Sequence, residues 1–227
     1  MIFLACWTLL LLQLLAHATL TAASSYQDIR SLDAWGRAPQ LEHAKQAIAP
    51  WAAVLHENCW YVAATVPPQC LLASTTLLIS GYPADVRWLW KELRHYACAH
   101  WEKYDTAPSS DDGVLLDWLV ERLQACWEAD GRPLGVQVVL LLQQDRGVCV
   151  LEPSGAHRVE SHVAASSEAV QASLLDAATS GDDTKKEDLL QRLRRIMEEE
   201  LGSRSDWNLY RVSSDGSIDR IDSDSTS

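Results

Sequence analysis

The stretch Gly131–Gly155, GRPLGVQVVLLLQQDRGVCVLEPSG, decides how this chain is read. Val136 to Leu142 is apolar except for Gln137. A strand with one wet face alternates in polarity, and this one does not, so it is expected to be covered on both faces in the middle of a layered domain. Asp145-Arg146-Gly147 predicts a tight turn, with Gly147 free to take positive φ. Val148 to Leu151 then returns antiparallel. Pro153-Ser154-Gly155 reads as a second turn, in which Pro fixes φ early and Gly late. Arg132-Pro133 marks the entry, because Pro forbids a helix running straight through it.

Working towards the N-terminus, Asp111-Asp112 can cap a helix reaching about Trp127, with Leu115, Trp118, Leu119, Arg122 and Cys126 along one stripe. Before it, Pro83 opens a helix in which Val86, Leu89, Trp90, Leu93, Ala97 and Trp101 recur at three and four. Asp85 sits in its first turn, where the helix dipole favours negative charge. Thr76–Ser80 is a short apolar strand broken by Gly81. Trp51–His56 and Cys59–Val66 read as a hairpin turning at Glu57-Asn58 and ended by Pro67-Pro68. Pro39 starts a helix in which Leu41, Ala44, Ala47 and Ile48 share a face.

Towards the C-terminus, Val159–Ala164 reads as a third strand in succession. Ser166-Ser167-Glu168 starts a helix to about Thr179, and Ser180–Asp183 is a polar loop. Thr184–Leu201 is strongly amphipathic, with Thr184-x-x-Glu187 as a capping box. Asn208–Val212 and Ser217–Ile221 form a last hairpin around Asp215-Gly216. The order is strands, two helices, strands, two helices, strands. With a central strand covered on both faces, it predicts an α/β fold: an α/β/β/α sandwich of two stacked, mainly antiparallel sheets flanked by helices.

The chain has 227 residues and a formal net charge of −12. Residues 1–25 contain no Asp, Glu, Lys or Arg, so the imbalance belongs to residues 26–227. An acidic chain repels phosphate backbones, which sets it against nucleic acid as a partner. Residues 1–23 are expected to be a signal-peptide-like or anchor segment, carried by the apolar block 2–20 and small-residue sites such as Ala16-His17-Ala18, although a positively charged start is missing. Residues 26–222 would form the domain and 223–227 a polar tail. Of six cysteines, Cys6 lies in the leader; five in the domain, without paired spacing, fit free thiols better than a disulfide framework. Ten Trp against one Phe is unusual, and packing accounts for most of them better than a binding surface.

Three motifs carry a resemblance. Ser80-Gly81-x-x-Ala84-Asp85-x-Arg87 has the spacing of Ser-Gly-x-x-Ala-Asp-x-Arg in proteasome α-type subunits. Arg132-Pro133-x-Gly135-Val136, the apolar strand, Asp145-Arg146-Gly147 and Pro153-Ser154-Gly155 resemble that family's central hairpin. Residues 26–48 look like a worn copy of its opening: Gly36, Arg37, Gln40, Glu42 and Ala44 stand where the pattern wants them. Leu32 and Leu41 replace Phe and Val, Asp33-Ala34 replaces Ser-Pro, Ala38 replaces Leu and His43 replaces Tyr. These departures bear on gating more than on ring contact. No Lys occurs between Lys45 and Lys91, where the family commonly uses one near the end of the second strand to receive activator tails.

The resemblance implies an N-terminal nucleophile hydrolase fold without its own catalysis or cofactor. It implies a subunit whose Gln40–Ile48 helix packs between neighbours in a ring with other α-type and β-type subunits. The setting would be ubiquitin-dependent protein breakdown in cytoplasm and nucleus. The leader conflicts with that, and points to the secretory pathway or, if retained, a membrane.

Chemistry is sparse. Thr75-Thr76 is the only Thr pair, and a β-type N-terminal Thr hydrolase would need it, or Thr19, at a mature N-terminus. Thr75 and Thr76 are expected to be structural. His95 and Cys98 share a helix face with His100 nearby, but no fourth ligand accompanies them. His56 and Cys59 only flank a turn, and Glu198–Glu200 reads as a solvated helix end. No Gly-rich phosphate loop occurs. Two further readings stay open: the threonine hydrolase, and a secreted or membrane-tethered binding module of the same fold.

Overall fold

The computed structural model describes residues 38–71, 75–108, 113–129, 132–142, 147–179, 186–201 and 207–221. In chain order, the described elements begin with helix α1 (Pro39–Lys45), the hairpin β1 (Trp51–His56) and β2 (Cys59–Ala64), and then β3 (Gln69–Leu71) and β4 (Thr75–Gly81). Helices α2 (Pro83–Tyr104) and α3 (Val114–Ala129) come after them. Next come β5 (Val136–Leu141), β6 (Val148–Leu151), β7 (His157–Glu160) and β8 (Val163–Ala165). Helices α4 (Glu168–Thr179) and α5 (Lys186–Leu201) precede the last hairpin, β9 (Asn208–Val212) and β10 (Ile218–Ile221).

The strands form two five-stranded sheets, ordered β10-β9-β2-β1-β8 and β3-β4-β5-β6-β7, and every pairing is antiparallel. The chain is therefore mixed α/β, with two antiparallel sheets and five helices among the described residues. All six residues of β5 are buried, as its unbroken apolar run requires. Its side chains alternate between two hydrophobic clusters. Val136, Val138 and Leu140 join Leu77 and Ile79 of β4, Leu89 and Leu93 of α2, and Leu115, Leu119 and Leu123 of α3. Val139 and Leu141 join Leu78, Val148 and Val150 with Trp51, Ala53, Trp60, Val62 and Tyr210 of the other sheet. A third cluster sets the opposite faces of β1, β2, β8 and β9 against Val170 and Leu174 of α4 and Leu193, Ile196 and Met197 of α5.

Three expectations are corrected. Val159–Ala164 is not one strand. The chain breaks at Ser161-His162, with β7 pairing β6 in one sheet and β8 pairing β1 in the other. Burial tells the two apart, since β7 alternates on an exposed edge while β8 is wholly buried. The first helix stops at Lys45, short of Ile48: the Ala47 and Ile48 N–H groups bond to the carbonyls of Ala44 and Lys45, a tighter turn that closes the helix before Pro50. The buried stripe of α2 runs out at Ala97, and Trp101 is 51% exposed.

The turns behave as their residues demand. Glu57 and Asn58 both take positive φ, 49° and 61°, between directly paired His56 and Cys59. The Gly36-Arg37 turn, Asp145 and Arg146, the Asp111-Asp112 and Thr184 caps, the Ser180–Asp183 loop, the leader and the 223–227 tail lie outside the described residues.

Candidate functional site

Two of the motifs, about fifty residues apart in sequence, meet at one carboxylate. Gly81 ends β4 opposite Val136, and its φ of 148° is one that side-chain-bearing residues rarely adopt. The Tyr82 N–H then donates to the Gly135 carbonyl at 2.8 Å, and Pro83 opens α2 at its first position. This places Asp85, in the first turn, against the chain entering β5. Its two oxygens each accept from Arg132 Nη2 at 3.0 Å, and Oδ2 also accepts from the Gly135 N–H at 2.9 Å. The Asp85 side chain is 6% exposed and that of Arg132 65% exposed, so the pair has one buried and one wet end. Pro133 and Leu134 lie between the two residues that Asp85 holds. The carboxylate thus fixes the loop, beyond any general favour from the helix dipole.

The rest of the motif residues divide clearly. Ser80 Oγ donates to the Ala49 carbonyl at 3.0 Å, tying β4 to the segment between α1 and β1. Arg87 is exposed on α2 and takes no part in the Asp85 cluster. Pro153, Ser154 and Gly155 do form the expected turn, closed by Gly155 N–H to the Glu152 carbonyl at 2.9 Å. That turn packs on α3 instead: a Cβ on Gly155 would lie 2.7 Å from Gln124 Cγ. On α1, Ala44 is buried, whereas Glu42 is exposed and pairs with Lys45 at 3.5 Å. Gly36 and Arg37 lie outside the described residues.

Gln40 and Ala44 of α1, with Tyr82, Arg132, Pro133 and Gly135, line a cavity of about 390 Å³ next to the Asp85 cluster. Its lining is mainly apolar, and Gln40 Oε1 is a buried acceptor without a hydrogen-bond partner among the described residues.

A polar chain that sequence reasoning missed runs between the sheets. Trp51 Nε1 donates to Gln137 Oε1 at 2.6 Å, Gln137 Nε2 donates to Glu152 Oε1 at 2.9 Å, and Arg158 Nη1 donates to the same oxygen at 2.8 Å. It borders a polar cleft of about 370 Å³ that also touches Lys45, Ser166 and Glu168. The one signal for it was Gln137 as a polar residue inside an apolar strand; a buried amide must be paired, so that interruption called for partners.

Thr75 and Thr76 lie within β4, 1% and 4% exposed. His95 and Cys98 are both exposed on α2, and among the described residues no three His, Cys, Asp or Glu side chains are placed to hold a metal ion. Cys59, Cys70, Cys98, Cys126 and Cys149 are free thiols. Among the described residues no helix is long and apolar enough to cross a membrane. Compared with known proteins, the chain matches no family model and has no significant match among curated proteins.

Proposed function

We propose that this chain is a non-catalytic α-type subunit of a 20S core proteasome, a divergent ring component whose work is assembly. The observation that carries the reading is the meeting of the Ser80–Arg87 and Arg132–Val136 motifs at Asp85, with Arg132 and the Gly135 N–H both on its carboxylate. Residues that carry the resemblance are thereby also residues that fix the entry to the central strand. The three hydrophobic clusters support the finer architecture that we infer, an α/β/β/α sandwich in which the two sheets face each other and a helix pair covers each outer face. In that reading α1, short and with Glu42 and Lys45 exposed, is the part that packs on neighbouring α-type subunits. The domain supports a β-type ring and contributes to ubiquitin-dependent protein breakdown in cytoplasm and nucleus without cutting peptides.

The test is purification of the tagged full chain from cells under mild salt. Recovery with other α-type subunits in a particle of several hundred kilodaltons is the expected result. A chain that always runs alone as a monomer overturns the proposal. Mass spectrometry of the mature N-terminus separates the competing readings: a new N-terminal Thr would favour the hydrolase, and leader removal without proteasome subunits would favour a secreted binding module.

A further inference from the structure

Strand β7 is the last of its sheet, and among the described residues no strand pairs with its outer edge. The phase of the hydrogen bonds fixes which of its groups face outwards. The Glu152 N–H donates to the Ala156 carbonyl at 2.8 Å, and the Leu142 N–H to the Gly147 carbonyl at 3.0 Å. Directly opposed residues of an antiparallel pair exchange bonds at every second position. Counted from these two bonds, Val148 and Val150 bond to Glu160 and Arg158 of β7, whereas Cys149 and Leu151 bond to β5. The N–H and C=O groups of His157 and Val159, opposite Leu151 and Cys149, therefore point away from the sheet. Val159 is also 57% exposed, more than any other large apolar side chain among the described residues. Unmet backbone groups beside an exposed apolar side chain make this edge a template for another strand.

We propose that two copies of this chain pair antiparallel through β7, with Val159 opposite its own counterpart on a two-fold axis. The self-complementary register is what points to a second copy. Only registers that set outward-pointing residues opposite one another can form the bonds. Val159 opposite His157 would set two Arg158 guanidinium groups against each other, and Val159 opposite Ser161 would do the same to two Glu160 carboxylates. Like charges directly opposed destabilise a strand pair. His157 opposite His157 would leave each Val159 facing Gly155, which has no side chain. Val159 opposite Val159 packs the two apolar side chains together and sets Arg158 opposite Glu160. Arg158 already holds Glu152 and Glu160 of its own chain, so it acts by excluding wrong registers, and the backbone bonds and Val159 supply the attraction. This pairing does not rest on the ring reading.

Sedimentation equilibrium of the purified full chain tests it. A monomer–dimer equilibrium with a dissociation constant of roughly 10–500 μM is expected for so small an interface. Val159→Pro removes an N–H that bonds to nothing within the sheet, a place where an edge strand tolerates Pro, so the chain should stay folded by circular dichroism and lose the dimer. Should V159P fail to fold, Val159→Lys sets two like charges on the axis and should weaken the dimer at least tenfold. Val159→Cys reads the register: directly paired residues lie close enough for a disulfide, so mild oxidation should join 159 to 159, mapped by mass spectrometry, faster than it joins exposed Cys70 or Cys98. A monomer at every concentration, a dimer unchanged in folded V159P or V159K, or no preference for the 159–159 disulfide would each overturn the pairing. So would a chain that stays monomeric yet binds an alternating Thr-Val peptide, since the edge would then take a foreign strand and not its own copy.

Discussion

The indole N–H of Trp51 donates to the side-chain oxygen of Gln137 at 2.6 Å, and this bond crosses from one sheet to the other. A second indole does likewise, Trp60 Nε1 donating to the Leu142 carbonyl at 3.3 Å. Two sheets packed only by apolar side chains can slide, whereas directional bonds between them fix one alignment. Gln137→Leu would leave the Trp51 N–H and one Glu152 bond unmet in a buried place. It should destabilise the fold by about 1–3 kcal/mol in urea unfolding. Combining it with Trp51→Phe should cost less than the sum of the two single changes, because the second removes a donor already stranded. Full additivity would show that the bond does not couple the sheets.

Asp85 and Arg132 form an asymmetric pair, and their replacements should differ accordingly. Asp85→Ala strands the buried Gly135 N–H and frees the loop ahead of β5, for a loss of about 1–3 kcal/mol. Arg132→Gln acts at the wet end, leaves the Gly135 N–H on the carboxylate and keeps an amide able to donate to Asp85, and should cost less. Thermal melts of both variants check the order. Equal losses would mean that the ion pair, and not the backbone bond, holds the loop.

Much of this arrangement was legible because it is local. The β5 run, the positive φ of Gly147, the Gly155 turn, Pro39 and Pro83 at helix starts and the Glu57-Asn58 hairpin each derive from one or two residues and their neighbours. Single-sequence patterns lose what depends on distant partners. Val159 to Ala164 reads as one strand because nothing local marks Ser161-His162 as a crossing; the crossing exists because β6 and β1, far apart in sequence, each claim half of it. Asp85 was legible as a first-turn acid, and its hold on Gly135 was not, since the two are fifty residues apart. The tryptophans divide in the same way: Trp51, Trp60 and Trp90 pack in the core, while Trp101, in phase with the α2 stripe, lies one turn beyond its last buried residue.

Gly81 and Gly135 face each other across the start of the β4–β5 pairing, but they should not tolerate a methyl equally. A Cβ on Gly81 would overlap the Gly135 carbonyl oxygen, a backbone atom of the paired strand, and φ at 148° is strained for any L side chain. The nearest atoms to a Cβ on Gly135 belong to the Tyr82 ring, and Tyr82 is 39% exposed and can swing away. Gly81→Ala should therefore lower stability by several times the cost of Gly135→Ala, with losses of about 2–4 kcal/mol against 1 or less. Soluble expression and denaturant midpoints of the two variants give the comparison, and the reverse order would contradict the close approach described for β4.

The five free thiols among the described residues should separate by burial. Cys149 on β6 is 1% exposed, and burial pushes its thiol up to about 11 from an ordinary 9.0. Native alkylation near neutral pH should modify exposed Cys70 and Cys98 and spare Cys149, Cys126 and Cys59 until denaturant is added. The raised value also makes a linkage prediction. Between pH 9 and 11 the unfolded chain releases the Cys149 proton while the folded chain keeps it, so the unfolded state binds fewer protons and stability falls as pH rises. The slope from this one group approaches about 1.4 kcal/mol per pH unit within that window. Cys149→Ala removes it, so the variant's unfolding free energy should decline less steeply above pH 9 than that of the parent chain. Parallel declines would place the thiol in a wetter setting than the centre of the β3-β4-β5-β6-β7 sheet.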